Sequence, residues 1–259
     1  MTDLSGVRAL VTGASSGLGE AMADALLDAG AAVGFASRPS DRLSDVVERR
    51  RSDGLQAHIF PVDVRDQDSV QAAASNVRRT FGGLDLLVNN AGIGMRTVNP
   101  RFMEQPMPFY EVSAADFSNV LATNLTGYFL VASAFVPLLR EGGSGRIVNV
   151  TMNHETMQRK GFVPYGPSRA GAESLSLIMT EDLRSVGISV NLLLPGGATS
   201  TGMIPEGIAE GARRLLLQPE VMAEPIVFLA SPEAEGLTGE RIVAKEFSEW
   251  LVSFRGRRM

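Results

Sequence analysis

The chain has 259 residues, 44% of them apolar and 20% charged, with a formal net charge of −5, long enough to bury a large core without disulfides or structural metals. It contains no cysteine and two histidines, His58 and His154, which excludes thiol catalysis, a disulfide framework and an ordinary Cys/His zinc site. A pI near 5.2 speaks against a nucleic-acid surface, which normally carries a concentrated positive patch.

In chain order, the N-terminal MTDLSGVRALVTG lacks a basic stretch followed by a long apolar run and does not read as a secretory signal, so a cytoplasmic location is expected. Nearly continuous apolar runs predict strands over 7–12, 32–36, 57–62, 84–88, 146–150 and 188–194, and helical patterns fall over 19–29, 43–52, 69–81, 114–139 and 165–186. The run over 117–139 is uncharged and long enough to cross a bilayer, but Asn119, Thr123, Asn124, Thr126, Ser133 and Pro137 make it a buried helix instead, and no membrane partner is expected. Two irregular segments, 94–113 and 196–218, follow strands, and long irregular segments within a compact domain more often carry function than structure, so both are expected to cover a substrate. The alternation of strand and helix over 1–259 predicts a single doubly wound α/β domain, a parallel sheet of about seven strands with helices on both faces.

Directly after the first strand stands Thr12-Gly13-Ala14-Ser15-Ser16-Gly17-Leu18-Gly19, opening the first helix. Its glycines permit a tight turn and let backbone amides reach a pyrophosphate at the positive helix end, which makes Gly13, Ser15, Ser16, Gly17, Leu18 and Gly19 candidate cofactor contacts. The second strand ends in Ser37-Arg38, eighteen residues past Gly19, where a carboxylate would bind ribose hydroxyls and an arginine accommodates a 2′-phosphate. No carboxylate stands there, and Arg38 favours NADP(H) over NAD(H).

Together with Asn89-Asn90-Ala91-Gly92 after the fourth strand, Asn124 in TNLTG, Tyr165 at a helix start and Pro195-Gly196 after the sixth strand, this loop resembles the short-chain dehydrogenase/reductase family, in family order from Val7 to about Glu240. The resemblance implies a Rossmann-like fold and an oxidoreductase moving a hydride between NAD(P) and the carbonyl/alcohol pair of a small molecule, assembled as a homotetramer or homodimer. It places Asp63 and Val64 at the adenine, and Asn90, Ala91 and Gly92 along the cofactor. Pro195, Gly196, Ala198 and Thr199 fall at the nicotinamide amide, with Thr201 as the alternative threonine.

The same resemblance implies a tyrosine acid/base, a lysine one helical turn later, a serine thirteen residues before the tyrosine, and an upstream asparagine that anchors a proton-relay water. Tyr165 and Asn124 match, while the lysine position holds Arg169 and the serine position Met152. Arg169 shares a helix face with Tyr165 and keeps the charge that favours a tyrosinate and the contact to the ribose, but it does not readily release a proton. A methionine cannot polarise a carbonyl. Thr151 is one residue off and faces the other way on a strand, which leaves Asn153 and His154 as candidate replacement donors at the substrate. Met152 is expected to line a pliable apolar pocket with Met95, Met103, Met107, Phe102, Phe109 and Tyr110. The C-terminal TGERIVAK departs from the family's Asp-Gly-Gly ending. Two other readings are a cofactor-independent lyase resembling halohydrin dehalogenases, and a catalytically inactive dinucleotide-sensing protein.

Overall fold

The computed structural model describes residues 2–258. Strands β1 (Arg8–Thr12), β2 (Ala32–Ser37), β3 (Ala57–Pro61), β4 (Leu86–Asn89), β5 (Arg146–Val150), β6 (Ser189–Leu194) and β7 (Arg241–Val243) form one sheet in the order β3-β2-β1-β4-β5-β6-β7, every pairing parallel. The two-residue alternation of a strand divides the core: Ala9 and Val11 of β1 pack on one face of the sheet, Leu10 on the other. Helices α1 (Gly17–Asp28), α2 (Asp41–Ser52), α9 (Ala223–Ala230) and α10 (Phe247–Arg258) cover the first face through Met22, Leu26, Val46, Ile226 and Phe254. Helices α3 (Gln67–Phe81), α5 (Gly127–Gly142) and α7 (Tyr165–Arg184) cover the second through Val77, Phe135, Leu138 and Met179. Short helices α6 (His154–Met157) and α8 (Glu210–Arg213) lie in the connections.

Two details depart from the sequence expectation. The helix expected over 114–139 is α4 (Ala114–Leu121) and α5, joined by a π-helical turn at Ala122–Thr126. Ala114–Gly142 is long and apolar enough to cross a membrane, and here it lies along the sheet with Val131, Phe135, Leu138 and Leu139 buried. The seventh strand, β7, is only three residues long and sits inside the altered C-terminal motif. After it, α10 closes the chain with an aromatic cluster in which Trp250 stacks on Phe254 at 5.1 Å. The sheet order reverses at β1, whose neighbours β2 and β4 lead away in opposite directions, and ligands of open α/β sheets bind beyond the carboxyl ends of the strands at such a point.

Candidate active site

A cavity of about 1000 Å³ opens there. At one end is the glycine loop. Thr12 Oγ1 donates to Val88 O (3.1 Å) and accepts from the amides of Asn90 (2.9 Å) and Ala91 (3.0 Å), and Asn90 Nδ2 donates to Thr12 O (2.9 Å), so the β1 and β4 loops are stitched together. Gly13 and Gly17 have φ of +66° and +59°, a left-handed region that disfavours side chains, and a Cβ on Gly19 would stand 2.4 Å from Gly13 O. Ser16 precedes α1 without making a side-chain cap, which leaves the first-turn amides free for an anion. This cradle fits the pyrophosphate of a nicotinamide dinucleotide.

Ser37, Arg38, Asp63, Val64 and Arg65 line the adjoining part of the cavity. Ser37 and Ser15 hydroxyls meet at 3.2 Å. Arg65 grips Asp63 through Nε (2.9 Å) and Nη2 (2.6 Å), and these hydrogen bonds hold the Asp63 carboxyl down at about 2.

At the other end Tyr165 is the first residue of α7 and Arg169 follows one turn on. The Arg169 guanidinium is buried, its carbon 5.4 Å from the centre of the Tyr165 ring and 5.5 Å from that of Tyr128. Its Nη1 donates to Tyr128 Oη (2.7 Å) and Val150 O (3.0 Å), while its Nε is buried without a partner. Burial opposes the positive charge, but the two tyrosine oxygens favour it, and the Arg169 pKa stands above its ordinary value. Burial in turn pushes the Tyr128 phenol up, against the pull of Arg169. Nη2 fits only because residue 92 is glycine: a Cβ there would lie 2.4 Å from it.

Asn124, in the π turn, does not line the cavity. It binds both backbone groups of Ile93 (2.9 Å each) and donates to Ser168 Oγ (3.1 Å), fixing the β4 loop against α7. Near the missing serine, Met152 lines the cavity and the polar candidates are engaged elsewhere. Thr151 Oγ1 donates to Glu173 Oε1 (2.7 Å), and Asn153, on the cavity wall, donates through Nδ2 to Gly196 O (3.2 Å). The expectation for His154 is corrected: it lies outside the cavity lining, largely exposed, with Nε2 2.8 Å from Glu173 Oε2, because α6 begins at this residue and turns it towards α7. Arg241 of β7 completes the cluster, Nε to Glu173 Oε1 (3.1 Å) and Nη2 to Met152 O (2.8 Å).

The apolar pocket is also smaller than expected. Met95, Phe102, Met103 and Met152 line the cavity, whereas Met107 does not, and Phe109 and Tyr110 are 72% and 73% exposed on a 3₁₀ turn directed outwards. Pro195, Gly196, Ala198, Thr199 and Thr201 all border the cavity. Thr199 Oγ1 bonds within its own turn, to Gly197 O (3.3 Å), whereas Thr201 rests against Gly17 of the phosphate loop. Sequence reasoning missed Tyr128, Glu173 and Arg241. Tyr128 was detectable in principle, since a tyrosine inside a buried helix needs a partner for its hydroxyl.

The family model for short chain dehydrogenase matches residues 8–209. The chain is 34% identical over 193 residues to gluconate 5-dehydrogenase of Gluconobacter oxydans (strain 621H), covering 74% of this chain and 72% of that protein. It is 32% identical over 247 residues to a 3-oxoacyl-(acyl-carrier-protein) reductase of Vibrio cholerae, covering 93% and 96%. A short chain dehydrogenase from Burkholderia cenocepacia J2315, solved in complex with NADP, superposes with a TM-score of 0.81 at 29% identity, covering 93% of this chain and 97% of that one. The chain belongs to the short-chain dehydrogenase/reductase family, oxidoreductases that act on CH–OH or C=O groups with a nicotinamide cofactor.

Proposed function

We propose that this protein is an NADP(H)-dependent reductase or dehydrogenase in which Tyr165 exchanges a proton with the carbonyl/alcohol oxygen of the substrate. The observation that carries the reading is Arg169, a cation buried against the Tyr165 ring on the cavity wall. When bound, the nicotinamide supplies or accepts the hydride. The glycine loop and the first turn of α1 would hold the pyrophosphate, Ser37 and Arg38 the 2′-phosphate, and Arg169 the nicotinamide ribose. Tyr165 Oη gives its proton to the substrate oxygen as the carbonyl is reduced and takes one back in the opposite direction. Asn124 acts as a positioning residue through Ile93 and Ser168.

Tyr165→Phe is expected to abolish NADPH oxidation across a ketone panel while leaving the calorimetric affinity for NADPH unchanged, and full activity in this variant would overturn the mechanism. NADPH is expected to bind more tightly than NADH, with the difference lost in Arg38→Ala. Equal affinities in the unaltered protein would remove the assigned role of Arg38. Met152 favours a second reading, a dinucleotide-binding protein without turnover, and the same panel separates the two. The open amides of the glycine loop argue against a cofactor-independent lyase. Phe117 on α4, Phe129 on α5, and Leu177 and Ile178 on α7 are apolar and exposed on adjacent helices, an arrangement that supports self-association. Phe129→Glu is expected to lower the mass measured by light scattering.

A further inference from the structure

Beyond Arg169, which is bonded to Tyr128 and Val150, the substrate end of the cavity is an apolar wall with one charge on it that no carboxylate pairs. Tyr165, Met152, Met95, Phe102 and Phe162 pack as a single cluster, and Phe102 meets Phe162 edge to face at 5.7 Å. Arg159 lines the cavity next to them, its guanidinium carbon 5.4 Å above the centre of the Phe162 ring. Among the described residues no carboxylate pairs with it, and of the carboxylates bonded to other groups near the cavity Glu206 is held by Arg96, and Glu173 by His154 and Arg241. Arg65, also on the wall, is held by Asp63, and Arg38 belongs to the far, phosphate-binding end.

We infer that Arg159 receives a carboxylate of the substrate, so that the protein acts on carbonyl or alcohol compounds whose apolar body ends in a carboxylate. This rests on the reading of Tyr165 as the reacting group. Measured outwards from Tyr165, the wall offers a reacting end, an aromatic and thioether surface, and then a planar fork of donors. A guanidinium is weakly hydrated and matches a carboxylate bidentately. Apart from Arg169, which is engaged by Tyr128 and Val150, a single free cation on this wall matches a single negative charge better than a phosphate dianion.

The test uses the full chain saturated with NADP⁺ and a non-reacting probe, 5-phenylpentanoate, beside its methyl ester. Calorimetry is expected to show the acid binding at least tenfold more tightly than the ester, that advantage falling about tenfold in Arg159→Ala and largely kept in Arg159→Lys, with NADP⁺ affinity unchanged throughout. Acid and ester of equal affinity, or an acid unaffected by Arg159→Ala, would overturn the inference. In a parallel arm, 5-oxo-5-phenylpentanoate and its methyl ester are offered with NADPH. A KM for the keto acid that rises in Arg159→Ala at unchanged kcat supports the inference. Carboxylate binding that depends on Arg159, without turnover of any ketone, would sustain this site while refuting the role of Tyr165. Phenyl phosphate binding more tightly than the carboxylate would refute the assignment to carboxylates.

Discussion

The group beside Tyr165 is a rigid fork where family resemblance implies a flexible amine, and its neighbours are cut to fit it. Tyr128 supplies an oxygen at 2.7 Å and Gly92 leaves room for Nη2. Gly92→Ala is therefore expected to displace the guanidinium, lowering kcat at least tenfold and the melting temperature with it, because the clash falls on a buried, hydrogen-bonded side chain. Tyr128→Phe removes one acceptor from a buried charge, a loss of about 1–3 kcal/mol, and is expected to reduce both stability and kcat. Arg169→Lys at the same site should retain more activity than Arg169→Ala, read from steady-state rates, since lysine keeps the charge. Met152 is expected to set a ceiling on rate: removing one donor to a developing oxyanion typically costs about 3 kcal/mol, roughly a hundredfold. Met152→Ser is accordingly expected to raise turnover on simple ketones, and an unchanged rate would mean that no oxyanion forms beside this residue.

Among the elements, segments 94–113 and 196–218 are linked by hydrogen bonds from Arg96. Arg96, from 94–113, donates to Gly202 O (3.1 Å) and Glu206 Oε1 (2.7 Å) of 196–218. Glu206 is 87% exposed, so its ion pair contributes little, about 0–1 kcal/mol, and the bond to backbone carries the clasp. Arg96→Ala is expected to speed hydrogen exchange in both segments and raise substrate KM, whereas Glu206→Gln does neither. Exchange unchanged in Arg96→Ala would show that apolar contacts such as Gly94 against Met203 hold the segments by themselves. The glycine loop and six of the strands were legible in the sequence because each depends on local chemistry: a turn that needs positive φ, or an uninterrupted apolar run between turn formers. The π turn was not, since an extra residue in a helical turn leaves the same apolar pattern on either side. The Glu173–Arg241 contact joins residues 68 apart, and periodicity carries no information at that distance. The position of His154 two residues past Met152 suggests a donor, but its ring lies against Glu173 of α7, a contact that sequence spacing does not show.

For the molecule as a whole, acid sensitivity follows from the ionised contacts around the site. Asp63 titrates at about 2 in the folded chain, below roughly 3.9 for an unfolded aspartate. Its contribution is therefore present above about pH 4 and lost as the pH falls towards 2. Asp63→Asn is expected to lower the urea midpoint at pH 7, with the gap from the parent closing between about pH 4 and 2. A gap independent of pH would assign the effect to shape instead of charge. The lone tryptophan, Trp250, lies in α10 against Phe254 and reports the docking of the last helix by its fluorescence. Just ahead of it, Arg241 ties the carbonyl of Met152 and the carboxylate of Glu173 to β7. Where the last strand frays, the glycine loop keeps its bonds to the β4 loop while Met152 loses the support of Arg241.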